Sequence, residues 1–261
     1  MKTLTTYLCK KAEKQKLFVP YIMAGAQGLG ALTEEITMLA KNGAAAIELG
    51  VPFSDPVADG PIIQEAGLRA LERKVTLKKI IERLQNFDSP VPLILMGYTN
   101  SFFHYGLEKL AEDLANTDVK GFIIPDLPYE HRDLVLPVFD QADLALLQLI
   151  SLTSPKERIK TLLQAAEGFV YAVTINGTTG TGKNYRDNLD EHLAAITAES
   201  KIPVLAGFGV SERSHVERFN ACCDGVVVGS KIVQSLYEEG IKETGKFVAS
   251  LTTPMKQADA V

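Results

Sequence analysis

Eight short apolar runs, each followed by a stretch with helical periodicity, constrain this chain more than any other feature it has. They lie at 17–24, 44–48, 91–97, 119–124, 144–150, 169–173, 203–207 and 225–229. Runs such as Leu93-Ile94-Leu95-Met96 and Val226-Val227-Val228 do not alternate with polar residues. Strands of that kind need cover on both faces. Helices are expected at 32–42, 62–71, 76–86, 107–116, 129–140, 155–166, 189–199, 212–220 and 231–250, and a further one, at 4–15, precedes the first strand. Asn42-Gly43 is a helix stop, and Ser154-Pro155 is a helix start. Neither a linker nor a low-complexity break interrupts the series. Eight βα units in one run close a parallel sheet into a barrel. The expected fold is therefore α/β: a (β/α)8 TIM barrel with an extra N-terminal helix, as one domain over 1–261. Residues 253–261 read as a loose tail.

Composition narrows the function classes. With 46% hydrophobic residues in 261, the chain can bury a large core. Its net charge of −5, with no basic tract, gives no footprint for nucleic acid. No apolar run approaches the roughly 20 residues that a membrane helix needs. The polar start MKTLTTYLCKKAEKQK is not a signal peptide. Cys9 and the adjacent Cys222-Cys223 make an odd set that suits a reducing compartment, so a cytoplasmic location is expected. Their simplest role is as small buried apolar residues. His104, His131, His192 and His215 share no metal-ligand spacing with them, so no metal is expected.

Barrels of this kind work at the C-terminal ends of their strands. Two carboxylates fall there. Glu48 ends the second apolar run, and Asp59 follows in a loop stiffened by Pro52 and Pro56. A carboxylate at the end of a buried strand is costly unless it is paired or used. Two acids so placed can do different acid–base work on one small molecule. The plainer alternative is that Glu48 is an ion-paired strand end and Asp59 the N-cap of the helix near Ile62. Placement at the active face favours the chemical reading.

Three glycine-rich turns follow the last three strands: Gly177-Thr178-Thr179-Gly180-Thr181-Gly182, Gly207-Phe208-Gly209 and Gly229-Ser230. Glycine lets backbone N–H groups approach an anion, and the helix opening at Ser230 adds its dipole. Barrels often hold phosphate with the loops after strands seven and eight. Each turn alone is weak, because glycine is also the ordinary turn residue. The loop at 175–187, which carries Lys183, has the length of a closing lid. Tyr21, Phe53, Tyr98 and Tyr171 lie at or near strand ends and together suit a flat aromatic ligand.

The strings FVPYIMAG, IELGVPFSDPVADGPIIQ, LMGYTN, GFIIPDLP, GTTGTG, AGFGVS and VVVGSKIV, between Phe18 and Val233, resemble the tryptophan synthase α-subunit family. The resemblance implies retro-aldol cleavage of indole-3-glycerol phosphate to indole and glyceraldehyde 3-phosphate. By motif it makes Glu48 the catalytic acid/base and Asp59 the partner of the indole N–H. It places Tyr21, Tyr98, Tyr171, Thr179, Gly180, Phe208, Gly209, Gly229 and Ser230 in substrate binding, with Thr179 a lid threonine that meets Asp59. It implies no cofactor in this chain, and a pyridoxal-phosphate β subunit that receives indole in an α2β2 heterotetramer. Pro52 and Asp55 match loop positions facing that partner. The chain departs from the family pattern at Ala26-Gln27, where Asp-Pro is common, and at Ser101, where proline is common.

Three other readings compete. Another phosphate-binding barrel would not need the ADGP loop and would usually end a strand in lysine. A free-standing indole-releasing lyase of the same fold is harder to separate by sequence. A non-catalytic activator of a β subunit would not need both Glu48 and Asp59.

Overall fold

The computed structural model describes residues 1–151, 153–173, 189–207 and 209–252. Nine parallel strands run through them: β1 (Leu17–Met23), β2 (Ile47–Gly50), β3 (Leu93–Met96), β4 (Val119–Ile123), β5 (Ala145–Leu146), β6 (Gln148–Ser151), β7 (Val170–Val173), β8 (Val204–Gly207) and β9 (Gly225–Val228). Their order in the sheet is β5-β4-β3-β2-β1-β9-β8-β7-β6. The two ends of that order are separated in sequence only by Leu147, whose N–H donates to Phe122 O at 2.9 Å. The sheet is thus a (β/α)8 barrel whose fifth stave is split.

The expected single strand at 144–150 is corrected accordingly. Its first half pairs only with β4 and its second half only with β7. Strands in a barrel are staggered, so one short stave meets its two neighbours at different heights and pairing changes sides at Leu147.

Alternation of side chains along each strand separates two cores. Leu17 and Val19 of β1, Ile94 of β3, Ile123 of β4, Leu205 of β8 and Val227 of β9 point inward and form one buried cluster. The alternate positions, among them Phe18, Ile22, Leu93, Phe122, Val170 and Val226, face the surrounding helices in the other. Such strands read as continuous apolar runs because both faces are covered.

The helix Thr3–Ala12 plugs the barrel from its N-terminal end. Leu4 and Leu8 are fully buried members of the inner cluster. Thr5 Oγ1 accepts the buried Gly168 N–H at 2.7 Å, and Lys2 Nζ reaches Phe139 O at 2.9 Å.

Helix boundaries differ from expectation where proline or glycine intervenes. The stretch 129–140 is a 3-10 turn, Tyr129–Leu134, followed by an α-helix, Leu136–Gln141. Pro137 has no N–H with which to continue a helix from the preceding turn. The helices expected over 231–250 are Ser230–Glu238 and Gly240–Thr252, divided at Gly240 with φ of 79°. A short helix, Thr99–Tyr105, was not expected from periodicity; it ends at Gly106, with φ of 89°, just before Leu107–Leu114. The expected loop at 175–187 and tail at 253–261 lie outside the described residues.

Truncating Leu4 to alanine should lower unfolding free energy by about 2–5 kcal/mol, the usual range for a buried leucine. Urea unfolding checks this, and an unchanged midpoint would contradict the plug. A second expectation concerns Glu35, buried on the helix Leu32–Lys41 at 2% exposure. Burial, aided by the charge of Glu34, pushes its carboxyl up to about 7. The folded chain then holds more protons than the unfolded one between about pH 4.5 and 7, so stability falls as pH rises through that window. Glu35→Gln should remove this slope and leave the variant more stable at pH 8 by up to about 3 kcal/mol. Parallel stability–pH curves for the two proteins would refute it.

Candidate active site

Register decides which way Glu48 points. Tyr21 of β1 lies beside Glu48 of β2, and Glu48 beside Ile94 of β3. Ile94 belongs to the inner cluster, while Ile47 and Leu49, flanking Glu48, belong to the outer one. Glu48 therefore faces into the barrel. It is 1% exposed. Among the described residues no ion pair reaches it and its Oε1 has no hydrogen-bond partner. Burial alone drives its carboxyl well above the usual range, in the direction that favours the neutral acid. The ion-paired strand end is excluded among the described residues.

Asp59 does not cap the following helix either. Gly60 occupies the N-cap of Pro61–Glu72, without a side-chain bond. The Asp59 carboxylate instead accepts the Tyr98 hydroxyl, which in turn accepts the Ala58 N–H at 2.9 Å. The Tyr98 ring stacks on Phe53, with centroids 5.1 Å apart. One tyrosine at the mouth of β3 thus holds both ends of the loop that follows β2. Burial raises the Asp59 carboxyl, and the Tyr98 bond opposes that shift.

These groups open on a cavity of about 330 Å³. Tyr21, Glu48, Asp59, Tyr171, Gly209, Gly229 and Ser230 all line it. The two carboxyls come from β2 and its loop, and the glycine turns from the ends of β8 and β9. The helix Ser230–Glu238 starts at the cavity wall. Its first amides have no intrahelical acceptor, and together with the helix dipole they suit an anion.

Two tyrosines reach the mouth by using gaps that glycine leaves. A Cβ on Gly50 would stand 2.0 Å from the Tyr21 hydroxyl oxygen. One on Gly207 would stand 2.5 Å from that of Tyr171. Gly50 and Gly207 end β2 and β8, so each ring lies over the last residue of the neighbouring strand.

Periodicity did not single out Ile63, Met96, Val227 and Lys231, which also line the cavity. Met96 and Val227 share inward parity with residues already noted, and that signal could have found them. Ile63 and Lys231 depend on how helices seat against the barrel mouth. Tyr98 stands behind Asp59 rather than in the cavity wall. Pro52 is buried, because Val51 still pairs with Met96 O at 2.8 Å and keeps the chain in the barrel wall. Asp55 is exposed. Thr179, Gly180, Lys183 and Phe208 lie outside the described residues. Ala26-Gln27 sits in the turn after β1 and Ser101 on the helix Thr99–Tyr105, and none of the three lines the cavity. Among the described residues no group of three His, Cys, Asp or Glu could hold a metal ion.

The elevated carboxyl of Glu48 has a consequence for stability. The native state keeps this proton where the unfolded chain has lost it, so Glu48 costs stability increasingly as pH rises above about 4.5. Glu48→Gln should therefore unfold at higher urea than the parent, with the gap widening from pH 5 to pH 8. A gap that narrows would mean that the carboxyl is ionised and compensated in the fold.

The sequence model for the tryptophan synthase alpha chain matches residues 8–260. The tryptophan synthase alpha chain of Streptococcus thermophilus is 54% identical over 250 residues, spanning 95% of this chain and 96% of that one. The corresponding chain of Listeria monocytogenes is 53% identical over 247 residues, spanning 95% of each. Among solved structures, tryptophan synthase subunit alpha from Legionella pneumophila superposes with a TM-score of 0.86 at 30% identity over 97% of both chains. Tryptophan synthase from M. tuberculosis, in its aminoacrylate-bound form, gives 0.85 at 28% identity over 97% of this chain and 98% of that one.

Proposed function

This chain belongs to the tryptophan synthase alpha chain family, and we propose that Glu48 and Asp59 carry the acid–base work by which it cleaves indole-3-glycerol phosphate. The products are indole and glyceraldehyde 3-phosphate. Glu48, neutral at the start, gives its proton to indole C3. The bond from C3 to the glycerol carbon then breaks, and its electrons return to the positively charged ring. The hydroxyl on that glycerol carbon loses its proton to the Glu48 carboxylate and becomes the aldehyde. One proton has moved from oxygen to carbon, and Glu48 is restored.

Asp59, fixed by Tyr98, faces the indole N–H and offsets the charge that the ring carries while C3 is protonated. Tyr21 and Tyr171 flank the aromatic body, and Tyr98 acts from behind Asp59. Gly209, Gly229 and Ser230 hold the phosphate; the family resemblance adds Gly180 to that set, makes Thr179 the lid threonine that meets Asp59, and counts Phe208 among the substrate-binding residues. The observation that carries this reading is the buried carboxyl of Glu48, its Oε1 without a hydrogen-bond partner among the described residues, opening on the same cavity as Asp59. It favours an active lyase over a non-catalytic activator, which has no use for a carboxyl kept neutral at such cost.

The chain acts as one barrel domain over 1–261, carries no cofactor of its own, and passes indole to a pyridoxal-phosphate β subunit in an α2β2 heterotetramer in the cytoplasm. What supports the partner surface is a set of exposed groups on three successive connections at the active face. Asp55 and Val57, the latter 84% exposed, follow β2; Phe103 at 42% follows β3; Leu134 at 54% follows β4. Apolar side chains this exposed around one mouth suit a protein partner. Among the described residues no helix is long and apolar enough to cross a membrane.

Glu48→Gln should cut indole release by roughly 10²–10⁴-fold while the barrel stays folded, the usual weight of a positioned acid/base. A spectrophotometric assay of indole with indole-3-glycerol phosphate as substrate tests it. Near-normal release would sink the assignment.

A further inference from the structure

Tyr21 is placed more tightly than a wall residue needs to be. It is 5% exposed and lines the cavity with both carboxylates. Its backbone is in register with Glu48, yet its hydroxyl oxygen projects past it, into the space that a Cβ of Gly50 would fill. Gly50 is two residues beyond Glu48 on the same strand face, about 7 Å further toward the mouth. Both side chains line the same cavity, so a substrate oxygen seated between them would meet the hydroxyl and the carboxyl together. The groups that act on the Tyr21 hydroxyl electrostatically are Asp59, Glu48, Tyr98 and Tyr171, so both carboxyls face it from β2 and its loop. Burial first, and these charges second, hold the phenol well above its ordinary value, which keeps it a neutral donor. The Tyr98 hydroxyl is already committed to Ala58 and Asp59. No such bond commits Tyr21 among the described residues.

We propose that Tyr21 is a catalytic residue, its hydroxyl donating a hydrogen bond to the glycerol oxygen from which Glu48 removes the proton. That oxygen gains negative charge as its proton leaves and the carbon–carbon bond breaks. A fixed neutral donor lowers the barrier most when it meets charge that develops only during reaction. No proton is transferred to or from Tyr21, so the proton balance set by Glu48 is unchanged. Gly50 belongs to the same device, because any side chain there would displace the hydroxyl. The inference rests on the retro-aldol reading of Glu48.

Steady-state indole release by the whole 261-residue chain tests it. Tyr21→Phe keeps the ring over Gly50 and removes only the oxygen. The expected result is a fall in kcat on the order of 10–10³-fold, as for loss of one oxyanion donor, with KM within about threefold. An unchanged kcat overturns the proposal. So does a rise in KM alone, which would make the hydroxyl a ground-state contact only. Gly50→Ala should reproduce the kcat loss with the phenol still present, and the double variant should be no slower than the slower single one. Losses that multiply would mean that the two positions act separately, and would also overturn it. Glu48→Gln separates the two levels. If that variant is active, the retro-aldol reading itself fails. If it is inactive while Tyr21→Phe turns over at the parent rate, only the role of Tyr21 fails.

Discussion

Burial of one carboxyl in the inner layer of the barrel is the constraint on which the site depends. Glu48 occupies a position that its neighbours on β1 and β3 fill with Tyr21 and Ile94. An apolar residue there would extend the core and stabilise the fold. The chain instead keeps a buried carboxyl whose Oε1 has no hydrogen-bond partner among the described residues and which sheds stability as pH rises. Such a cost is sustained where the group has work to do. Burial also shifts the Glu48 carboxyl toward its protonated form.

The second carboxyl is tuned by opposite means. Asp59 stands on a half-buried loop rather than a strand, and it is held by a hydroxyl rather than isolated. Tyr98 ties that loop to the end of β3 through Ala58 and Asp59 together, and Phe53 stacks behind it. Two acids 11 residues apart thus meet one cavity in different surroundings. The positions are rigid for the same reason that they are precise: each rests on a strand end, and the strands close on themselves.

The closure itself is economical. The fifth stave spends its two halves on different neighbours, and Leu147 alone joins the ring. Plugging by Leu4 and Leu8 fills the N-terminal end, so the space that remains is at the mouth. There, glycines at the ends of β2 and β8 make room for two tyrosines, and Gly209 and Gly229, after β8 and β9, line the cavity.

The sequence by itself determined the architecture and the two carboxylates. Apolar runs of strand length, alternating with helical periodicity, have few ways to bury both faces of every strand, and a parallel barrel is the one that eight repeats close. Once the barrel is drawn, Glu48 and Asp59 fall at its working face by position alone. The tertiary structure decided what periodicity cannot carry. The pairing switch at Leu147 depends on stagger between strands. The helix Thr99–Tyr105 depends on a glycine with positive φ. The Tyr98–Asp59 bond and the seating of Tyr21 over Gly50 join residues from different strands. Burial of Pro52 depends on where pairing to Met96 ends. Each of these is a relation across strands, set by register and closure, and a local pattern along one strand holds no record of its neighbour's height.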